Sequence, residues 1–298
     1  MADFKVLVVG GGTMGRGIAA LCAVRGCPTA IYEADPESRK DILPSIAGSW
    51  KRAQEKGKLD AAATRKALDL LSVLGALAVP ERCDFVLEAV PENLALKREI
   101  FSELDRLSEP RTILASNTSS LSIASIAQGL ARPDRVVGIH FFNPVAAMPL
   151  VEIVSGNNTS TETRRRAESL VASLGKTAIR VADSPGFATS RLGVALGLEA
   201  MRMVEQGVAS AEDIDKAMEL GYGHKMGPLK TSDLVGLDVR LAIAEALAGE
   251  LDRGRFEPPQ ILRELVARGH TGKKAGLGFY RWNGDEPMPA EPDERIKP

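Results

Sequence analysis

The sequence contains few of the residues that define several common protein classes. Only three cysteines occur in 298 residues, Cys22, Cys27 and Cys83. Their number and spacing fit neither a disulfide framework nor a metal site, so we expect no bound metal and a reducing, cytoplasmic environment. Cys22 and Cys27 lie in an apolar stretch with helical character, and we expect both thiols to be buried.

Long apolar runs and an excess of one charge are also missing. No segment approaches the roughly 18 consecutive apolar residues of a membrane span, and we expect no secretory signal at the N-terminus. Lys and Arg number 38 against 39 Asp and Glu, a net charge of −1, so we expect no nucleic-acid partner. The length fits two domains, and a hydrophobic fraction of 44% is enough to build their cores.

Short apolar runs alternate with helical patterns in the first 183 residues. Strands are predicted at residues 4–9, 29–33, 85–89, 113–116, 136–141, 150–154 and 177–181. Helices are predicted at residues 14–26, 36–56, 61–72 and 161–174. This alternation predicts an α/β fold with a Rossmann-type, doubly wound parallel sheet.

The pattern changes at Ser184-Pro185-Gly186, which is strong punctuation. Beyond it we predict no strand, only helices, at about residues 187–206, 211–220, 228–237, 238–251 and 258–268. We therefore divide the chain into a Rossmann-type domain, residues 1–183, and an all-helical domain, residues 184–298. The tail after Trp282 is rich in Pro, Asp and Glu, and we expect it to be mobile.

A glycine-rich loop follows the first predicted strand and opens the first helix. It reads Gly10-Gly11-Gly12-Thr13-Met14-Gly15, with the G-x-G-x-x-G pattern at Gly10, Gly12 and Gly15. Gly10 would make the tight turn, Gly12 would admit a pyrophosphate to the backbone, and Gly15 would let the helix pack closely on the strand. The helix N-terminus would then face the phosphate charge.

Glu33 ends the second predicted strand, 18 positions after Gly15. A carboxylate there can accept both adenosine ribose hydroxyls and repels a 2′-phosphate, so the pattern predicts NAD rather than NADP. The alternatives are a purely structural turn beside a solvated glutamate, and a flavin, which nothing further along the sequence indicates.

His140 is one of only three histidines and ends the apolar strand 136–139. Ligands of open parallel sheets bind at the carboxyl ends of the strands, so this position favours chemistry over packing. An imidazole has a suitable pKa to accept a hydroxyl proton while hydride leaves the same carbon. A buried structural histidine is the alternative.

Glu152 lies inside the apolar run 149–154. A carboxylate there is expensive to bury without a partner, and His140 would supply one. The alternative is an edge-strand glutamate that faces solvent. The loop 116–120, Ser-Asn-Thr-Ser-Ser, follows another strand, where its hydroxyls either cap a helix or bind a substrate hydroxyl or a nicotinamide amide.

These features together resemble the 3-hydroxyacyl-CoA dehydrogenase family, particularly its bacterial 3-hydroxybutyryl-CoA members. The matching segments cover nearly the whole chain: GGGTMGRGIA (10–19), EAVPENLALKREIF (88–101), SNTSSL (116–121), GIHFFNP (138–144), LVEIV (150–154), SPGF (184–187), MGPL (226–229) and GLGFY (276–280). The resemblance implies NAD as cofactor, an acyl-CoA substrate, and a homodimer formed by the helical domain.

The resemblance also assigns residue roles. His140 matches the catalytic base, Glu152 its orienting carboxylate, and Ser119 a serine that contacts substrate and nicotinamide. Further cofactor contacts match Glu92, Lys97, Asn143 and Lys274. Residues that meet the CoA moiety match Ser49 and Lys56 on the long helix after the second strand.

One position departs from the family pattern. After SPGF the family usually has an asparagine before an arginine, and that asparagine helps to hold the acyl carbonyl. Here Ser190 stands before Arg191. A hydroxyl is shorter than a carboxamide but can still donate one hydrogen bond, so turnover or substrate can differ from the family norm.

We therefore expect reversible, NAD-dependent oxidation of a (3S)-3-hydroxyacyl-CoA, of short chain, to the 3-oxoacyl-CoA. Two rivals remain. One is a dehydrogenase of a small free hydroxy acid, which would need a compact cationic anchor instead of a CoA channel. The other is an NAD-binding protein without turnover, which Ser190 alone favours.

Overall fold

The protein was analysed as a computed structural model that describes residues 4–290. It divides into two compact units, Met1–Phe187 and Ala188–Pro298. This division lies four residues after the boundary expected from the sequence. All three cysteines are buried, as expected for Cys22 and Cys27.

The first unit is built on an eight-stranded sheet. Its strands are β1 (Val6–Val9), β2 (Thr29–Tyr32), β3 (Leu71–Leu74), β4 (Phe85–Glu88), β5 (Ile113–Ser116), β6 (Val136–Phe141), β7 (Leu150–Ser155) and β8 (Thr177–Ala182). Their order is β3-β2-β1-β4-β5-β6-β7-β8. Strands β1, β4, β5 and β6 are buried along their whole length, which explains their continuous apolar runs.

Helices flank this sheet. They are α1 (Thr13–Val24), α2 (Pro36–Lys40), α3 (Ile42–Glu55), α4 (Ala61–Leu68), α5 (Leu94–Leu107), α6 (Ile123–Ile126) and α7 (Thr161–Ser173). The predicted helix 36–56 is broken, because Asp41 both ends α2 and begins α3. The predicted helix 61–72 was wrong at its end, where residues 71–74 form β3 and pair with β2. Pairing with a neighbouring strand overrides the local helical pattern there.

One pair of strands in the sheet is antiparallel. Strands β6 and β7 run in opposite directions, whereas every other pair of neighbouring strands in this sheet is parallel. The predicted sheet is therefore parallel except at this pair. The loop 142–149 is too short for the crossover that a parallel connection needs. The register places His140 directly opposite Glu152.

The second unit is mainly helical, which confirms the predicted fold class. Its helices are α8 (Thr189–Glu205), α9 (Ala211–Gly221), α10 (Pro228–Val235), α11 (Leu237–Glu250), α12 (Arg253–Phe256) and α13 (Gln260–Ala267). None of the helices within residues 4–290 has the length and apolarity that crossing a bilayer requires.

A hairpin contradicts the expectation that no strand follows residue 184. Strands β9 (Tyr280–Asn283) and β10 (Glu286–Pro289) pair antiparallel. The two-residue turn is Gly284-Asp285, and Gly284 has a φ of +60°, which the first central position of a tight hairpin turn requires. Residues 286–289 thus form a strand rather than an irregular tail. Residues 291–298 of the predicted tail lie outside the described residues.

Two buried aspartates explain the second unit's motifs. Asp233 Oδ1 accepts a hydrogen bond from Phe279 N at 3.0 Å, and its Oδ2 accepts from Tyr280 N and Trp282 Nε1 at 2.9 Å each. A Cβ on Gly278 would lie 2.3 Å from Asp233 Oδ1, so only glycine fits in GLGFY.

Asp215 likewise binds the backbone of the MGPL segment. Its carboxylate accepts hydrogen bonds from Leu229 N, Lys230 N and the Tyr280 hydroxyl at 2.8–2.9 Å. A Cβ on Gly227 would lie 2.2 Å from Asp215 Cγ. Both motifs therefore connect separate segments of the helical unit to buried carboxylates.

Candidate active site

The glycine-rich loop joins β1 to α1 as predicted. Gly10 has a φ of +106°, and a Cβ there would lie 2.7 Å from the Ala89 carbonyl oxygen. A Cβ on Gly15 would lie 1.8 Å from the Gly10 carbonyl oxygen, so glycine is needed for close packing of helix on strand. A Cβ on Gly12 would meet nothing within 4 Å. The space above Gly12 is therefore open to a ligand that approaches the backbone.

Glu33 lies beside this loop. Its Oε2 accepts a hydrogen bond from Gly11 N at 2.7 Å, and its Oε1 accepts from Asp35 N at 3.0 Å. Each carboxylate oxygen retains a second lone pair for a ribose hydroxyl. A cavity of about 700 Å³ is lined by Gly10, Gly12, Thr13, Met14, Glu33 and apolar residues that follow β4. Its position and lining fit an adenosine group whose pyrophosphate lies at the N-terminus of α1.

His140 and Glu152 form a hydrogen-bonded pair. His140 Nδ1 lies 2.8 Å from Glu152 Oε2. The carboxylate is fully buried and the histidine is 6% exposed. Because the two residues are register partners on β6 and β7, the backbone of the sheet itself brings them together. The expected partner of Glu152 is thus present.

Aromatic side chains surround the imidazole. The ring centroids of Phe142 and Phe187 lie 4.5 and 5.9 Å from that of His140. Phe187 is buried and has a φ of +49°, a left-handed conformation that is unfavourable for an aromatic residue. The apolar packing fixes the ring plane, and the Glu152 bond fixes which nitrogen faces the carboxylate.

A second cavity, of about 340 Å³, has His140 in its wall. Its other polar lining residues include four predicted site residues, Glu92, Lys97, Ser119 and Asn143. They also include Asn117, which was not predicted. Met14 also lines it, so the cavity lies next to the glycine-rich loop. The Asn117 Oδ1 accepts a hydrogen bond from Phe141 N at 2.9 Å and thereby ties the loop after β5 to β6.

Glu92 organises the serine-rich loop 116–120. Its Oε1 accepts hydrogen bonds from Thr118 Oγ1 at 2.6 Å, Ser119 N at 3.0 Å, and Ser120 N and Oγ at 3.1 Å each. The Ser119 hydroxyl donates to the same oxygen at 3.5 Å, the longest of the set. Burial alone would raise the pKa of Glu92, but the Thr118 bond and the Lys97 charge outweigh it, so the pKa lies below its usual value.

Lys97 lies in a buried charge network that the sequence reasoning missed. Its Nζ donates to Glu88 Oε1 at 2.6 Å and lies 3.4 Å from Glu92 Oε2. Glu88 is fully buried, and its Oε2 accepts from Ser116 Oγ at 2.6 Å. Glu88 interrupts the apolar run of β4 as Glu152 interrupts that of β7, so the same signal was available.

A third cavity, of about 700 Å³, lies between α1, α3 and the loop after β6. It is lined by Thr13, Ser49 and Asn143, which were predicted, and by Arg25 and Lys58, which were not. Lys56 is exposed and does not line it. The two cations and the mainly apolar wall fit a ligand with both phosphate and apolar parts.

The loop between His140 and Glu152 is tied down by Lys176. Its Nζ donates to the carbonyl oxygens of Val145, Ala146 and Met148 at 2.8–3.1 Å. Burial and the nearby Arg25 charge lower the pKa of Lys176. The loop residues after Asn143 are therefore held by the side chain of the residue that precedes β8.

Two predicted site residues belong to the second unit. Lys274 Nζ forms an ion pair with Asp238 Oδ2 at 2.6 Å. Ser190 lies in the first turn of α8, a helix whose N-cap is Ala188 and which has no side-chain cap. Ser190 is therefore not the cap of this helix.

Comparisons with known proteins agree with this arrangement. Residues 5–184 match the model of the 3-hydroxyacyl-CoA dehydrogenase NAD binding domain, and residues 186–282 match that of the family's C-terminal domain. A probable 3-hydroxybutyryl-CoA dehydrogenase of Bacillus subtilis is 42% identical over 93% of this chain and 96% of its own. A 3-hydroxybutyryl-CoA dehydrogenase of Mycobacterium tuberculosis is 41% identical over 93% and 98%.

A solved structure gives the same result in three dimensions. The (S)-3-hydroxybutyryl-CoA dehydrogenase of Ralstonia eutropha superposes with a TM-score of 0.90 at 38% identity, over 95% of this chain and 100% of that one. The matches span both units, so they include the sheet, the glycine-rich loop and the helical segment. The chain belongs to the 3-hydroxyacyl-CoA dehydrogenase family and is an NAD-dependent oxidoreductase.

Proposed function

We propose that the protein oxidises the 3-hydroxyl of a short-chain (3S)-3-hydroxyacyl-CoA, such as 3-hydroxybutyryl-CoA, reversibly, with His140 as the general base. The observation that carries this proposal is the buried His140–Glu152 pair in the wall of a cavity beside the glycine-rich loop. The family match supports the reaction class. The names of the relatives support the short acyl chain.

The proton is handled by His140. Because Nδ1 faces the Glu152 carboxylate, we assign the neutral ring's proton to Nδ1, which leaves the lone pair of Nε2 for the 3-hydroxyl proton. The ring becomes an imidazolium as the hydroxyl proton arrives, and the buried Glu152 stabilises that charge. In the reverse direction His140 donates the proton to the 3-ketone. NAD, when bound, supplies the acceptor for the hydride that leaves C3.

The other site residues position the ligands. The long Ser119–Glu92 bond leaves the Ser119 hydroxyl available to substrate or nicotinamide. Glu33 would bind the adenosine ribose. Glu92, Lys97, Asn143 and Lys274 would contact the cofactor, as the family resemblance implies.

The CoA group would occupy the third cavity, with Ser49 in its wall. We add Arg25 and Lys58 to the expected phosphate contacts, because both line this cavity and Lys56 does not. Ser190 would donate to the acyl carbonyl in place of the family asparagine. The helical unit would cover the substrate.

We also propose that the enzyme is a cytoplasmic homodimer formed through the helical unit. Several large apolar side chains of this unit are exposed, among them Leu192 (71%), Leu220 (85%) and Tyr222 (80%). Contiguous exposed apolar patches are typical of surfaces that another chain covers. Sedimentation analysis should give twice the mass of the chain, and a monomer at micromolar concentration would contradict the proposal.

One assay separates the proposed reaction from its rivals. NADH oxidation should be measured with acetoacetyl-CoA and with free acetoacetate at equal concentrations. We expect the CoA thioester to be reduced at least about 100-fold faster, because only the thioester carries the CoA group that the two cations of the third cavity would bind. Equal rates would favour a dehydrogenase of small free acids, and no turnover of either would favour an NAD-binding protein without activity.

A further inference from the structure

The segment 144–148, between β6 and β7, is held by one lysine side chain. Lys176 Nζ donates to three carbonyl oxygens of this segment at 2.8–3.1 Å, which uses all three hydrogens of the ammonium group. Within residues 4–290 the other hydrogen bonds of the segment are local, since two of its N–H groups donate to its own first carbonyl oxygen at 3.0 Å. Lys176 is therefore the hydrogen-bonded link between the segment 144–148 and the sheet.

The same segment forms part of the wall of the third cavity, to which its residues 144–147 contribute. Asn143, directly before it, lines both the third cavity and the second one, which contains His140. Lys176 lines neither cavity, so it acts on this wall without touching the space that a ligand would fill. A shift of the segment would therefore change how the two cavities are placed relative to each other.

Helix α1 also contacts the segment. A Cβ on Gly17 would lie 2.9 Å from Val145 Cγ2, closer than side-chain carbons normally approach. Gly17 lines the third cavity as well. The backbone of α1 thus packs directly on the segment, and small changes in the position of the segment would alter the shape of the cavity.

Positive charge accumulates beside this wall. Arg25 lines the third cavity and lies against the residue before Lys176, because a Cβ on Gly175 would be 2.7 Å from Arg25 Nη2. Burial and the Arg25 charge lower the pKa of Lys176, so the two cations repel each other. In the described part of the chain no carboxylate forms an ion pair with either of them. A phosphate bound by Arg25 would offset this repulsion.

We propose that Lys176 is a positioning residue for the CoA thioester: by fixing the segment 144–148, it sets the distance between the CoA group in the third cavity and the reacting carbon at His140. The inference rests on the proposed function, which places CoA in the third cavity. A misplacement of about 1 Å caused by a change remote from the reacting bond can lower a rate about 100-fold. Loss of Lys176 therefore acts mainly on substrates that carry the CoA group.

A matched pair of thioesters tests the proposal. Acetoacetyl-CoA and S-acetoacetyl-N-acetylcysteamine have the same acyl group and thioester, and only the first has phosphates and an adenosine. For Lys176→Met, which has similar length but neither charge nor donors, we expect the ratio of kcat/KM for the two substrates to fall about 10-fold or more, with most of the change in KM for acetoacetyl-CoA. Lys176→Arg retains the charge and should recover part of the ratio.

Lys5→Met is a matched control. Lys5 Nζ also donates to a main-chain carbonyl oxygen, that of Glu81 at 2.9 Å, but Lys5 lines neither the second nor the third cavity. The substrate ratio of this variant should equal that of the wild type. A fall in the ratio as large as that of Lys176→Met would overturn the inference.

A binding measurement provides a readout independent of turnover. In titration calorimetry, free CoA should bind Lys176→Met about 10-fold more weakly than the wild type, whereas the affinity for NADH should stay close to wild type. The cavity assigned to adenosine has no lining residue from the loop 142–149, so retained NADH binding would also show that the variant folds. A parallel loss of affinity for both ligands would indicate general damage to the α/β unit and would overturn the inference.

Two kinetic results would also overturn it. An equal loss of kcat/KM for both thioesters in Lys176→Met would confine the effect to the reacting end of the substrate. An unchanged ratio together with a lower melting temperature would make Lys176 a purely structural residue. If the wild type reduces neither thioester, the proposed function has failed; a selective loss of CoA affinity in Lys176→Met would then still support the positioning role.

Discussion

The two units differ in the groups that bind their buried carboxylates. In the α/β unit, Glu152 is paired with His140 and Glu88 with Lys97, so each acid faces a group that carries or can gain a positive charge. In the helical unit, Asp233 accepts hydrogen bonds only from backbone amides and the Trp282 indole. The two kinds of partner suit different tasks.

Neutral donors fix the path of the chain. Asp233 joins α10 to the strand β9, and its burial raises its pKa to about 6 despite three hydrogen bonds. A charged or titratable partner, by contrast, suits a functional site, because such a pair can take up or release a proton as a ligand binds or reacts. Two paired acids of the α/β unit, Glu152 and Glu88, have their partners His140 and Lys97 in the wall of the second cavity.

The largest test of the comparison is His140→Gln. We expect kcat to fall roughly 10²–10⁴-fold, because the proton acceptor is lost, while NADH binding in a fluorescence titration stays close to wild type. His224→Gln is a matched control, since His224 is exposed on the helical unit. Turnover above a third of wild type in His140→Gln would remove this residue from the mechanism.

Glu88→Gln should act mainly on stability. It leaves the buried Lys97 ammonium without its nearest carboxylate, and breaking such a pair typically destabilises by about 3–5 kcal/mol. We expect the lower end of this range in urea unfolding, because Glu92 remains 3.4 Å away. Glu162→Gln, which breaks an exposed ion pair on α7, should leave the unfolding midpoint unchanged. Equal midpoints for both variants would contradict the importance of the buried pair.

Asp233→Asn tests the other side of the comparison. The amide nitrogen would face N–H groups that now donate to a carboxylate oxygen, so the helical unit should lose about 1–3 kcal/mol. The loss should appear in the unfolding of that unit with little change in NADH affinity. A large drop in NADH affinity without a change in stability would show that Asp233 is not merely structural.

The same variant sharpens the comparison through pH. Because the folded-state pKa of Asp233 is about 6, against 3.8 in the unfolded chain, the folded state binds the proton more tightly. This contribution to stability is present below about pH 4 and is lost as pH rises through 6. The stability difference between wild type and Asp233→Asn should therefore shrink over that range, by up to about 3 kcal/mol. A difference that is constant between pH 4 and 7 would contradict the raised pKa.

The smallest effect is expected for substitution of Glu33, which is an exception to the comparison between the two kinds of partner. Like Asp233, Glu33 accepts hydrogen bonds from backbone N–H groups, yet it lies in the wall of the cofactor cavity. Glu33→Ser should relax the preference for NADH over NADPH by about 10-fold, one charge-assisted contact. Glu37→Ser on α2 serves as the control. If wild type binds both cofactors equally, Glu33 does not select between them.

The sequence predicted those parts of the site that depend on local patterns. The glycine-rich loop could be found because three features require glycine at a fixed spacing: the tight turn, the approach of a pyrophosphate to the backbone, and the close packing of the helix on the strand. The His140–Glu152 pair could be found because an acid in an apolar run needs a partner. The same argument applied to Glu88 would have found the Lys97 network, so that omission was not a limit of the sequence.

Other features depend on three-dimensional pairing. Leu71–Leu74 forms a strand only because β2 offers it an edge, and no local pattern showed this. Arg25 and Lys58 share a cavity although they are far apart in the chain. The antiparallel β6–β7 pair, in contrast, was accessible from the length of the loop 142–149.

The late position of the β9 strand has a consequence for synthesis on the ribosome. Phe279, Tyr280 and Trp282 belong to the core of the helical unit, whereas the core of the α/β unit is complete at Phe187. At a translation rate of about 5–20 residues per second, about 5 to 20 s separate the two events. During that interval α8 to α13 emerge without the strand that their buried aspartate Asp233 binds, so the nascent helical segment exposes apolar surface longer than the rest of the chain.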